Sequence, residues 1–254
     1  MGENLRLEEL RRSECKEKAS LINLGKVYAL SVVLGYQTGK IYSLGNLVVI
    51  HHNCGFAFVC GDPSEEELSA LYRYAGTMHR FSWFCEDERS AAYLENQPGI
   101  MIRKRLFLEY SAGEVERAEI PDGLELREMD EELGMSMKGR ITLAFSWDNY
   151  EQFAKHGKGF CLTDNGIPVA WAFSAAVSDE EIDIGVECLE EYRHRGLSAI
   201  VVREMIRYVL GIGKKPTWAC IDTNEYSRKL AEKCGFVRSG ACRLITRLPD
   251  GLRT

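Results

Sequence analysis

Arg193, His194, Arg195, Gly196, Leu197 and Ser198 form a short cationic turn with one glycine, inside the stretch 181–210 that reads EIDIGVECLEEYRHRGLSAIVVREMIRYVL. Before the turn, Ile182, Ile184 and Val186 alternate as a strand does. After it, Leu197, Val201, Met205 and Val209 recur at helical spacing, with Ile200 on the same flank. Strand, turn and helix start together make an anion site. The first amides of a helix have no partner inside it, and the macrodipole adds partial positive charge there, so backbone N–H groups can hold a phosphate. Gly196 lets the backbone approach, and Arg193 and Arg195 add charge-assisted contacts. His194 reads either as a further phosphate donor or as a surface residue of the turn. The turn is neither a Walker loop, which needs Gly-Lys-Ser/Thr, nor a dinucleotide G-x-G-x-x-G.

Pro216–Asp222 follows as a second strand, and Asn224–Lys233 as a helix ended at Gly235 before Phe236. Arg193-x-x-Gly196-x-Ser198 resembles the acyl-CoA pyrophosphate loop of the GNAT N-acetyltransferase superfamily, written Arg/Gln-x-x-Gly-x-Gly/Ala, with Ser198 in the last small position. Asn224-x-x-Ser227, Leu230-Ala231 and Gly235-Phe236 resemble the superfamily's next helix and its end. Pro216-x-Trp218-x-Cys220 joined to that helix is similar to the branch that includes zwittermicin-resistance acetyltransferases. The resemblance implies an α/β (α+β) fold with a GNAT domain in the C-terminal half. It implies acetyl-CoA as co-substrate, no metal, and direct transfer of an acetyl group to the amine of a small molecule in a ternary complex.

Such a transfer needs a deprotonated amine, a donor to the developing oxyanion and a proton for the leaving thiolate. The resemblance places the Val186 N–H at the acetyl carbonyl and Cys188 against the pantetheine arm, on a strand that splays from its neighbour over 184–188. It also places Leu197 and Ser198 with Gly196 at the pyrophosphate. Glu187 and Asp183 are the two candidates for the base, on one face of the strand in the absence of a bulge. The tyrosine common in the superfamily four residues before the Gly of Gly-Phe is here Ala231, so Tyr226, Ser227 or water stands as proton donor. Asn224 reads as a cofactor contact or as a helix N-cap. Trp147, Tyr150 and Trp171 read as acceptor-pocket lining or as core. The competing function is a non-catalytic acyl-CoA-binding module. A third, aminoacyl transfer from charged tRNA, sits poorly with the charge.

That charge is −6 over 254 residues, with 45% hydrophobic residues. It argues against a broad basic surface for nucleic acid and suits a cationic amine. No apolar run spans a bilayer. The nine cysteines fall mostly within apolar patterns and show no zinc spacing. The expectation is a cytoplasmic monomer or homodimer without membrane or nucleic-acid partners.

Residues 5–19 and 21–34 read as helices, and 42–59, with Gly45-Asn46 inside it, as a hairpin whose arms are 47–50 and 55–59. Ser64 and Glu67 have capping-box spacing ahead of Leu68, Leu71 and Ala75. Strands at 81–85 and 100–110 flank a helix at 90–95, and Arg103-Lys104-Arg105 reads as a solvated edge. His51 and His52, adjacent on a strand, point to opposite faces. The polar stretch 111–122 marks a boundary between an N-terminal α/β half, 1–120, and the 121–254 domain. Trp83-x-Cys85-x-Asp87 echoes Trp218-x-Cys220-x-Asp222, so the first half reads either as a degenerate GNAT-like copy without the anion turn or as an α/β half of its own. In the second half, residues 124–129 read as a strand and 148–155 as a helix. Asn165-Gly166 turns the meander that runs over 159–187 into the anion turn, and 241–248 closes the sheet.

Overall fold

A computed structural model describes residues 5–248. The chain forms two compact units, Met1–Leu106 together with Gly240–Thr254, and Phe107–Ser239. The first contains β1 (Glu8–Glu9), α1 (Lys16–Ser20), α2 (Lys26–Val33), β2 (Gly39–Leu44), β3 (Leu47–His52), β4 (Phe56–Cys60), α3 (Glu65–Thr77), β5 (Ser82–Cys85) and α4 (Glu88–Glu95). The chain leaves it along β6 (Ile100–Tyr110). The second contains β7 (Leu124–Glu128), α5 (Glu131–Ser136), α6 (Tyr150–His156), β8 (Gly159–Asp164), β9 (Ile167–Val177), β10 (Glu181–Cys188), α7 (Leu197–Gly211), β11 (Lys215–Ile221) and α8 (Glu225–Lys233). The chain returns to the first unit along β12 (Phe236–Arg247). The units part between Leu106 and Phe107, whereas the sequence marks 120/121. The polar stretch 111–121 carries no helix or strand, but the change of unit falls within the two long strands β6 and β12.

The first unit is an α/β meander, β1-β2-β3-β4-β5, with the C-terminal part of β12 antiparallel to β5. Leu71, Phe81, Trp83 and Ile245 lie in its core. The capping box closes as its spacing requires. Ser64 Oγ accepts from the Glu67 N–H (3.2 Å), and Glu67 Oε2 accepts from the Ser64 N–H (2.8 Å). Glu67 Oε1 also accepts the Asn46 N–H (2.8 Å), so one carboxylate fixes both the helix start and the β2–β3 turn.

Three expectations change here. Residues 5–19 are not one helix, because Glu8 and Glu9 pair with Ser43 and Tyr42 and leave a 3-10 turn, Arg12–Glu14, and the short α1. Sheet pairing overrides local propensity. The hairpin at 42–59 is a three-stranded meander, since β2 and β4 both pair with β3. Arg105 is buried, with its guanidinium over the rings of Phe56 and Phe84, 4.8 and 5.2 Å from their centroids.

In the second unit the order is β11-β10-β9-β8-β7. β9 is buried from Pro168 to Val177 without alternation. That is the pattern of a strand covered on both faces. α7 packs on β8, β9 and β10, burying Leu197, Val201, Val202, Met205, Ile206 and Val209. α5 and the 3-10 turn Leu143–Phe145 also pack on β9. α5 is absent from the sequence reading, although Asp130, its N-cap, precedes two glutamates in the first turn.

The same order of elements occurs twice. β2-β3-β4-α3-β5-α4-β6 repeats as β8-β9-β10-α7-β11-α8-β12. In each case the third strand of the meander is parallel to the strand after the next helix, over two residue pairs in β4/β5 and three in β10/β11. Trp83 and Cys85 of β5, and Trp218 and Cys220 of β11, are all buried.

Candidate functional site

β10 pairs with β11 only from Glu181 to Asp183, opposite Lys215 to Thr217. A register shift against β9 follows between Asp183 and Ile184, and from there to Cys188 β10 keeps β9 as partner, while β11 runs on to Ile221. The bulge therefore turns residues 184–188 away from the parallel neighbour. Their phase is set at the strand end, where Leu189 N–H donates to the Val169 carbonyl (2.9 Å). In an antiparallel pair the N–H and C=O of one residue share a side. Glu187 and Gly185 accordingly face β9, and Ile184, Val186 and Cys188 face the edge that β11 leaves. The Cys188 carbonyl on that side accepts from Arg193 Nε–H (3.3 Å).

The anion turn is held in place by its own neighbours. A 3-10 turn, Glu190–Tyr192, is tied to the β8–β9 hairpin by the Tyr192 hydroxyl, which donates to Asp164 Oδ2 (2.6 Å). Arg195 donates to the Glu191 carbonyl (3.1 Å) and lies over the Tyr192 ring at 5.1 Å. His194 and Gly196 both have left-handed backbone, φ 64° and 80°. Gly196 is the N-cap of α7, and among the described residues no side chain caps that helix. α1 and α2 likewise have no side-chain cap, and α2 also starts at a left-handed glycine, Gly25, whereas α3, α4, α5, α6 and α8 are capped by Ser64, Asp87, Asp130, Asn149 and Asn224. The Ala199 N–H donates to the Gly196 carbonyl (3.0 Å), the N–H groups of Leu197 and Ser198 precede it at the start of the helix, and a Cβ on Gly196 would meet no atom within 4 Å. In the first repeat the corresponding helix start is α3, filled by the Ser64–Glu67 box and followed by Glu65 and Glu66.

Cys188 is buried, and its thiol is pushed up by burial, against a hydrogen bond from Ser198. It is a packed thiol that joins the strand end to the start of α7. The other face of the β9–β10 pair carries Glu187 opposite Trp171. Glu187 Oε2 accepts the backbone N–H groups of Arg140 (2.7 Å) and Ile141 (2.6 Å), and Trp171 Nε1–H donates to the Ile141 carbonyl (2.7 Å).

Asp183 and Glu187 do not continue one alternating face, because the bulge lies between them. Asp183, 5% exposed, stays in the part of β10 paired with β11 and accepts from the Thr217 hydroxyl at 3.5 Å. Asn224 is the N-cap of α8, accepting the Ser227 N–H (3.1 Å), and Ser227 Oγ accepts from Trp218 Nε1–H (3.1 Å). Tyr226 is 79% exposed, with its ring at 6.0 Å from that of His194. Ala231 is fully buried. Trp147 and Trp171 are core residues, and Tyr150 is half-buried with its hydroxyl donating to the Met129 carbonyl. His51 bonds to the Tyr74 hydroxyl and the Arg80 carbonyl, while His52 is buried on the other face. The residues that sequence reasoning passes over are Asp164, Tyr192 and the loop 139–141. Gly139 between Lys138 and Arg140 is the one local signal for that loop.

The sequence pattern of the GNAT acetyltransferase family matches residues 26–244, which takes in both repeats. An uncharacterized N-acetyltransferase, YdfB of Bacillus subtilis (strain 168), is 31% identical over 121 residues, a stretch covering 46% of this chain and 46% of that protein. Among solved structures, a GCN5-related N-acetyltransferase-like protein from Streptococcus suis superposes with a TM-score of 0.73 at 19% identity, over 92% of this chain and 97% of that one. A tandem GNAT protein from the clavulanic acid biosynthesis pathway superposes with a TM-score of 0.59 at 11% identity, over 95% and 98%. At these identities the two structures speak for the fold.

Proposed function

The chain belongs to the GNAT acetyltransferase family, and on that premise we propose that it moves an acetyl group from acetyl-CoA to the amine of a small molecule, by direct attack in a ternary complex. The observation that carries the reading is the departure of β10 from β11 after Asp183, ending at a helix whose first amides no side chain caps.

In this reading the amides at Gly196, Leu197 and Ser198, with Arg193, His194 and Arg195 around them, hold the pyrophosphate. The pantetheine arm lies along the open edge of residues 184–188 and passes Cys188. The Val186 N–H, which faces that edge, donates to the acetyl oxygen as negative charge builds there. Loss of one such donor typically costs about 10²–10³ in rate. The amine nitrogen bonds to the carbonyl carbon, the carbon–sulfur bond breaks, and water carries the proton from amine to thiolate. Water has this task because Ala231 occupies the family's tyrosine position, and Tyr226 and Ser227 are placed at the surface and against Trp218. Asn224 supports the site as the cap of α8.

Calorimetric titration with acetyl-CoA tests the reading. The expected result is saturable binding that disappears in the double variant Arg193→Glu, Arg195→Glu. Absence of binding by the wild type would overturn the assignment. The buried Ala231 also favours a second reading, an acyl-CoA-binding module without turnover. That reading predicts binding with no thiol release for any amine offered.

A further inference from the structure

We propose that Glu187 is a positioning residue, which fixes the loop Lys138–Ile141 against the β9–β10 pair, and that it does not take the proton of the acceptor amine. This rests on the acetyl-transfer reading above.

The geometry is that of a clamp. A single carboxylate oxygen, Oε2, accepts two successive backbone N–H groups of the loop, from Arg140 and Ile141, at 2.7 and 2.6 Å. From the paired strand, Trp171 Nε1–H donates to the Ile141 carbonyl at 2.7 Å. Trp171 is fully buried, so its ring is an anchor that does not move. Gly139 completes the fit. A Cβ there would stand 2.8 Å from Glu187 Oε2 and 3.2 Å from Trp171 Cζ2, so a larger residue would have to displace the Glu187 carboxylate from its place against the loop. Neither α5 nor the Leu143–Phe145 turn includes the loop, so its position depends on these contacts.

The same geometry argues against a base. Bonds from backbone N–H groups to a carboxylate are strong because the acceptor is charged. The two N–H groups take up the lone pairs of Oε2, the oxygen turned to the loop, and leave that oxygen none with which to take an amine proton. The two roles conflict in one side chain.

Glutamine separates them. Its carbonyl oxygen accepts both N–H groups as Oε2 does, but it takes no proton at neutral pH. Wild type, Glu187→Gln and Glu187→Ala are compared in two assays, with thermal melting to confirm that each is folded. The first is tryptic cleavage after Lys138 and Arg140, both exposed. The second is thiol release from acetyl-CoA with ethanolamine as probe amine, from pH 6 to 9. The expected outcome is that Glu187→Ala is cleaved about tenfold faster and releases thiol about 100-fold more slowly, the scale of a loop misplaced by about 1 Å. Glu187→Gln stays within about threefold of wild type in both, with an unchanged pH profile. Two results would overturn the proposal: tryptic cleavage of Glu187→Ala at the wild-type rate, or thiol release in Glu187→Gln lowered by about 10²–10⁴ with its pH dependence lost, as removal of a general base requires. Failure of acetyl-CoA to bind the wild type would remove the acetyl-transfer reading and leave the tryptic comparison to decide the clamp.

Discussion

At residue 194 the backbone adopts φ 64°, a conformation that histidine tolerates better than most side chains and glycine adopts freely. The turn accepts this so that Arg193 reaches back to Cys188 and Arg195 lies on Tyr192. The left-handed Cβ penalty, about 1 kcal/mol, is borne by His and Ala alike and lifted only by Gly, so His194→Gly is expected to be more stable than His194→Ala by about that amount. Denaturant midpoints of the two variants check the difference, because both remove the ring and only one permits the backbone. The residues that could do chemistry were legible in the sequence by type and spacing, whereas their partners were not. Nothing in the local sequence of Glu187 marks it as an acceptor for amides 46 and 47 positions away. Asp183 and Glu187 looked equivalent as carboxylates, and a register shift of the kind no side-chain pattern encodes set them apart.

Among the elements, the contrast between α3 and α7 is the informative one. Both follow the third strand of a meander. α3 begins in a closed capping box with acidic residues, and α7 begins at a bare glycine. The first arrangement stabilises the helix by itself, and the second leaves amides for a ligand. The cap has a pH signature. Burial works to raise the Glu67 carboxyl, but the Ser64 N–H, the Ser64 hydroxyl and the Asn46 N–H together hold it below its ordinary 4.5. A depressed carboxyl contributes stability above its unfolded pKa and loses it as pH falls through the folded value. Glu67→Gln is therefore expected to flatten the fall in stability below pH 4.5, read as the melting temperature against pH. Ser64→Ala should cost about 1 kcal/mol at neutral pH. α3 was legible because its cap is local; α5, a single turn and a half, carried too short a pattern to stand out from its polar surroundings.

For the whole molecule, the two repeats give the chain its plan, and the chain's path divides it unevenly. Residues 240–248 belong with the first unit although they follow the second in sequence. Arg243 to Thr246 pair with β5, and Ile245 sits in the core with Trp83 and Leu71. A chain ended at Ser239 leaves β5 without its antiparallel partner and opens that core. The expected outcome is loss of cooperative thermal unfolding of the first unit, together with faster proteolysis between α3 and β5. An unchanged melting profile would show that the C-terminal strand is dispensable.

By itself the sequence determined what depends on near neighbours. The helical and strand periodicities, the capping box, the Asn165-Gly166 turn, the W-x-C echo and the turn at 193–198 are all set within a few residues, by backbone preference and by the side of an element on which apolar groups recur. Only the tertiary structure decided how far β10 follows β11, which carboxylate is tied to the 139–141 loop, and in which unit the last strand pairs. These depend on contacts between segments tens to more than a hundred residues apart. The free energy that selects among them comes from burial and hydrogen bonding across the sheet, which local sequence does not record.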